Sequence, residues 1–69
     1  MQPSNPALSF AVSHAYALEL YKTLHGIHRA TTLVGLPSAA VLLAEIDDGL
    51  MRADKAAIEA GVAFLKGQP

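Results

Sequence analysis

Three histidines that share one side of a predicted helix are the residues best suited to chemistry. His14, Leu18, Tyr21, His25 and His28 follow one another at alternating intervals of four and three residues, and residues so spaced lie on one face of an α-helix. An imidazole can ligate a metal ion, act as a nucleophile or sit as a polar residue at the edge of an interface. The pattern leaves these uses open and favours the last, half-buried residues where a helical bundle meets water.

A metal site would use His25 and His28, which lie one helical turn apart and can both reach one ion. Glu45 or Asp48 across a hairpin, or a symmetry-related copy, would complete the ligands, as in carboxylate–histidine clusters of helical bundles. The pair has no Glu-x-x-His or His-Glu-x-x-His pattern around it. No cofactor is therefore predicted, and a metal-binding helical bundle is kept as an alternative.

The segment from His25 to Leu36, with the apolar run from Ala40 to Ile46, resembles the core of histidine-phosphotransfer (HPt) domains. His25 matches the phosphorylated histidine of that family, Ile27 the apolar residue after it, and Gly35 the glycine that ends the helix. The run Leu-Val-Gly-Leu-Pro-Ser-Ala-Ala-Val-Leu-Leu-Ala-Glu is also similar to degenerate phosphotransfer-like modules of chemotaxis-type kinases. The resemblance implies an antiparallel helical bundle, a bacterial signalling context and His25 as phosphoryl acceptor.

Two positions beside His25 differ from the family pattern. His28 stands where the family has a lysine that helps to hold the phosphoryl charge, and Arg29 where it has a glycine that leaves room for the receiver domain. The resemblance covers residues 20–52, and a chain this short would complete a full bundle only by dimerising. It therefore implies a binding module derived from such a hairpin, with phosphotransfer through His25 as the alternative.

Two helices would position these residues. Asn5 can cap free backbone N–H groups and Pro6 suits the first helical position, which predicts a helix over residues 6–34. Gly35 supplies the residue that commonly follows a helix end, and residues 35–37 form the turn. A turn this short makes the two helices antiparallel neighbours.

The second helix is predicted over residues 38–52. Gly49 weakens it and Asp54 can cap a new helix, so the pattern leaves open whether the helix continues or restarts before ending near residue 66. Gly67, Gln68 and Pro69 end the helical pattern.

Each helix carries an apolar series spaced for contact with its neighbour. We expect these two series to face each other and form the seam of the hairpin. On the first helix the seam comprises Phe10, Ala17, Leu20, Leu24, Ile27 and Val34, with Ser13 and Thr31 in the remaining positions. On the second helix it comprises Ala39, Leu43, Ile46, Leu50, Ala53, Ala57, Ala60 and Phe64. Each helix carries a second apolar margin beside this seam, which a second hairpin would cover. The margin comprises Leu18 and Tyr21 on the first helix, and Met51, Ile58, Val62 and Leu65 on the second. On the outer face of the second helix, Asp48 and Arg52 are spaced for an ion pair.

The composition indicates association with another protein surface. Hydrophobic residues make up 52% of the 69-residue chain and charged residues 16%, with no cysteine and a net charge of −1. A single domain this small cannot bury so much apolar surface alone, and no disulfide can compensate. The basic residues are scattered along the chain, at Lys22, Arg29, Arg52, Lys55 and Lys66. They form no basic stripe, which argues against binding to nucleic acid.

No apolar run reaches the roughly 20 residues of a membrane span, and the segment from Met1 to Pro6 lacks the charge of a secretory signal. We therefore expect a cytoplasmic, all-α protein of one domain over residues 1–69 that dimerises into a four-helix bundle. Its predicted role is non-enzymatic: a hairpin that pairs with itself or docks on a larger helical partner in signalling or assembly. The predicted interface comprises Phe10, Ala17, Leu20, Leu24, Ile27, Leu43, Ile46, Leu50, Ile58 and Phe64.

Overall fold

Two long helices and the turn between them account for almost all of the computed structural model, which describes residues 5–67. Helix α1 spans Pro6–Val34 and helix α2 spans Ala39–Lys66, and they pack side by side as an antiparallel hairpin. The molecule measures 50 × 19 × 19 Å. The predicted all-α hairpin is therefore confirmed. The predictions for Met1–Ser4, and for Gln68 and Pro69, lie outside the described residues.

The helix ends follow from their capping residues. The Asn5 side chain accepts hydrogen bonds from the backbone N–H groups of Ala7 and Leu8 at 3.0 and 3.2 Å, and Pro6 occupies the first helical position. The Ser38 hydroxyl accepts from the Val41 N–H at 3.3 Å, which starts α2. Between them Gly35 has φ +89° and ψ −175°, a conformation that is essentially confined to glycine.

Helix α2 is continuous, which answers the question that the sequence left open at Gly49 and Asp54. Gly49 does not interrupt the helix because its missing side chain gives room to Thr23 of α1. A Cβ atom built at Gly49 would lie 2.8 Å from the Thr23 Cβ and closer still to both γ atoms of that side chain. The Thr23 side chain therefore packs directly against the Gly49 backbone.

The contact between the helices recurs every four residues, and on α2 it uses only small residues. The buried or half-buried positions of this row are Ala15, Glu19, Thr23, Ile27 and Thr31 on α1, and Gly49, Ala53, Ala57 and Gly61 on α2. Rows with four-residue spacing form the ridges and grooves of packed helices. Close packing of small residues brings the helices together but buries little apolar area.

The predicted seam is therefore wrong over much of its length. Phe10, Leu24 and Leu43 were expected between the helices but are 70%, 62% and 66% exposed. Seven other predicted positions are buried or half-buried, in line with the prediction, namely Leu20, Ile27, Thr31, Ala53, Ala57, Ala60 and Phe64. The prediction assumed that the largest apolar residues mark the contact, whereas the close approach at Gly49 selects the smallest ones. The large residues remain on the surface of the hairpin.

Candidate functional site

A polar contact at the centre of the hairpin holds the two helices in register. The Thr23 hydroxyl donates to the Glu19 carbonyl oxygen at 2.9 Å and accepts from the Arg52 guanidinium at 3.3 Å. Arg52 lies on α2, so this bond crosses the interface between the helices. The expected ion pair of Asp48 with Arg52 does not form, because the Arg52 side chain reaches across to Thr23.

One side of the hairpin is charged. Glu19, Arg52, Lys55 and Glu59 line a shallow groove of about 380 Å³ along the helix contact, and Glu19 also pairs with Lys22 at 3.1 Å. Acidic and basic groups alternate there, so the groove carries no net charge of one sign. Exposed pairs of this kind contribute little to stability, and their main effect is to keep this side hydrated.

The opposite side of the hairpin is apolar. On α1, Leu20 and Leu24 lie on the opposite side of the helix contact from Glu19 and Lys22, as their spacing requires. On α2, Leu50 lies on the opposite side of that contact from Arg52. We call this surface the apolar face and define it as Ala17, Leu20, Leu24, Leu43, Ile46, Leu50 and Ile58. Asp47 and Asp54, which alternate with Leu43, Leu50 and Ile58 along α2, lie exposed at its margin. Five of its large side chains are between 39% and 68% exposed. A further apolar groove of about 380 Å³ lies near the helix termini, lined by Leu8, Val12, Ala57, Ile58, Gly61, Val62 and Leu65.

The outer surface of α1 carries all three histidines, each of them exposed. Two stack on aromatic rings four residues earlier, His14 on Phe10 at 5.6 Å and His25 on Tyr21 at 6.1 Å between ring centroids. These imidazoles therefore lie at the surface of a single hairpin, and the expected half-buried boundary of a bundle stays a prediction. His25 is exposed at the start of the predicted phosphotransfer segment, beside Gly26.

A metal site within one hairpin is not formed. Among residues 5–67, no group of three or more His, Asp or Glu side chains is placed to hold an ion. The structure thus does not bring Glu45 or Asp48 to His25 and His28, and the prediction that they would complete a site across the hairpin is wrong. Ligands from a second copy would be needed.

The functional feature that the sequence analysis missed is the contact of Thr23, Gly49 and Arg52. The signal for it was present, because Gly49, Ala53, Ala57 and Gly61 repeat a small residue every four positions, a spacing that allows close helix approach. Across residues 5–67, neither helix contains an apolar stretch capable of crossing a membrane. Comparison with protein-family models, with curated proteins and with solved structures finds no match for the chain.

Proposed function

We propose that the protein is a non-enzymatic interaction module that pairs with a second copy of itself through the apolar face. The observation that carries this proposal is the absence of a hydrophobic core in one hairpin. Over residues 5–67, Ala53 is the sole buried hydrophobic residue, and no large side chain is fully buried. Domains derive most of their stability from buried apolar surface, so the stable form must contain more than one hairpin.

The exposed area supports the same proposal. The chain has an accessible surface of 5440 Å², whereas a compact monomer of its mass exposes about 4,100 Å². The excess, about 1,300 Å², exceeds the roughly 800 Å² that each partner contributes to a standard protein interface. Pairing two hairpins face to face would cover it and give a four-helix bundle.

A second copy fits the apolar face for two reasons. A two-fold symmetric interface requires a surface that is complementary to itself. A face of leucine, isoleucine and alanine meets that requirement when Asp47 and Asp54 stay in water at its margin. The net charge of −1 creates little repulsion between copies. A dimer of this kind would still present its charged side and its histidines to a signalling or assembly partner.

Light scattering at micromolar concentration tests the proposal, and the expected mass is twice the chain's 7.2 kDa. Leu43→Asp, at a side chain 66% exposed within the face, should return the mass of a single chain. Met51→Asp is the matched control, because Met51 is also 66% exposed but lies on the outer side of α2. A folded wild-type monomer, or dissociation by Met51→Asp and not by Leu43→Asp, would contradict the proposal.

Histidine phosphotransfer is the second candidate, and the exposure of His25 is the observation that favours it. A phosphoryl acceptor must be reachable by a receiver domain, and His25 is exposed on the outer side of α1, away from the apolar face. Arg29, in the place of the glycine of HPt domains, is also exposed and would obstruct a receiver that docks there. Self-association without phosphotransfer is therefore the function that we propose first.

A further inference from the structure

The turn end of the hairpin forms a second apolar surface that lies outside the apolar face in large part. We call residues 30–44 the tip. This segment of fifteen residues contains no charged side chain, and Arg29 and Glu45 bound it on either side. Its large side chains are strongly exposed, with Leu33 at 69%, Val34 at 80% and Leu36 at 90%. An apolar, uncharged and exposed surface of this kind marks an interaction site.

We propose that the tip inserts into the interfacial region of a lipid bilayer, with zwitterionic lipid as the favoured partner. The first support is that large apolar side chains lie on several sides of the tip, while the hydroxyls of Thr31 and Thr32 are paired with the His28 carbonyl oxygen. Leu33 and Val34 are consecutive on α1, and Val41 and Leu43 are two apart on α2, so in each pair the side chains point in well-separated directions. A protein partner would cover one side of such a tip, whereas a lipid surface surrounds it.

The second support is the depth of the uncharged region. Residues 30–34 and 39–44 are the helical parts of the tip, and at 1.5 Å per residue they extend about 8–9 Å from the turn. Interfacial elements bury their apolar side chains about 5–10 Å into the boundary between headgroups and acyl chains. The tip therefore matches the depth of that boundary, which is much less than a bilayer's thickness.

The polar groups of the turn restrict the tip to this boundary. The backbone of residues 35–38 is not helical, and unpaired N–H and C=O groups are not tolerated in the hydrocarbon interior. Ser38 caps α2 through its hydroxyl. In the hydrated headgroup region, water can satisfy the remaining groups.

The charges next to the tip decide which lipid it prefers. On the side of the tip that points away from the turn, the next charged residue on α1 is Arg29, and the next ones on α2 are Glu45, Asp47 and Asp48. These acidic residues would approach the headgroups when the tip inserts, and anionic lipids would repel them. Zwitterionic phosphatidylcholine should therefore bind better than mixtures with phosphatidylglycerol.

Co-sedimentation of the full chain with phosphatidylcholine vesicles tests the inference. We expect Leu36→Asp to reduce the fraction bound at least tenfold, since burying one leucine accounts for more than a tenfold change in partitioning. Leu65→Asp is the matched control, because Leu65 is 60% exposed at the far end of the hairpin and should leave binding unchanged. Adding phosphatidylglycerol to the vesicles should weaken the binding of wild-type protein.

Light scattering of the same variants separates this inference from the proposed dimer. Neither Leu36 nor Leu65 belongs to the apolar face, so both variants should keep the wild-type mass. Absent vesicle binding, or equal binding by wild type and Leu36→Asp, overturns the lipid inference and leaves the dimer proposal standing. A loss of the dimer in Leu36→Asp also overturns it, because the tip would then contact another protein chain.

Discussion

At the scale of single residues, Gly49 and Gly26 are two helical glycines with opposite expected behaviour. A Cβ at Gly49 would overlap the Thr23 side chain, whereas a Cβ at Gly26 would meet no atom within 4 Å. We expect Gly49→Ala to lower the free energy of unfolding by about 1–3 kcal/mol through overpacking. Gly26→Ala should raise it by up to about 1 kcal/mol through helix propensity.

Urea denaturation followed by circular dichroism measures both changes. The pair is well matched, since each variant adds one methyl group inside a helix. Equal stabilisation by the two substitutions would show that the helices do not approach closely at Gly49 and Thr23.

His25 allows a second test at this scale. Arg29 fills the space that HPt domains leave for a receiver, so we expect no transfer of phosphate to His25 from a receiver domain labelled with a small phosphodonor. His25→Gln should leave the circular dichroism spectrum and the mass in solution unchanged, because the imidazole is exposed and stacks on the Tyr21 ring at the surface. An acid-labile phosphate on wild-type protein that is lost in His25→Gln and kept in His14→Gln would establish phosphotransfer instead.

At the scale of the elements, the turn depends on one backbone conformation. Gly35 has φ +89° and ψ −175°, and a side chain there costs about 1–3 kcal/mol. We expect Gly35→Ala to lower the melting temperature by several degrees, on the order of 4–8 °C per kcal/mol for a small domain. Gly67→Ala is the control, since Gly67 has an ordinary helical φ of −79°. Similar melting temperatures for the two variants would show that Gly35 does not need the positive φ that only glycine adopts easily.

Sequence reasoning predicted the two elements because their ends are marked by local chemistry. Asn5 and Pro6 at the start of α1, Gly35 at its end and Ser38 at the start of α2 act within a few residues of themselves, and their roles can be read without knowing the neighbouring helix. The face of contact was harder to predict. It depends on how closely two backbones approach, and the sequence analysis took Gly49 as a weak point of α2 rather than as the place where Thr23 fits.

That misassignment also determined which interface residues were predicted. Leu24 and Leu43 were expected inside the hairpin, and the structure places them on its surface. As members of an interface with a second copy they remain a prediction. We propose that the large apolar residues serve association, as the composition indicated, through contact between hairpins instead of contact within one.

At the scale of the whole molecule, the apolar residues exceed what one hairpin covers. Small residues fill the contact between α1 and α2, so the large ones are free for the apolar face and for the tip. The charged side, with Glu19, Lys22 and Arg52, keeps the remaining surface hydrated. The charged groove and the apolar groove near the helix termini are both shallow and open to solvent.

If the hairpin is stable only as a dimer, folding and association are one process, and stability must rise with protein concentration. Raising the concentration a hundredfold adds about 2.7 kcal/mol to the stability of the assembled form. For two chains of 69 residues this corresponds to an increase in melting temperature of about 5–10 °C. Thermal unfolding by circular dichroism at about 2 and about 200 micromolar would measure the shift. Leu43→Asp, which removes the proposed contact, should show no cooperative melting transition at either concentration. A wild-type melting temperature that stays constant over the same range would mean that one hairpin is stable by itself, and the absence of a large buried side chain would then need another explanation.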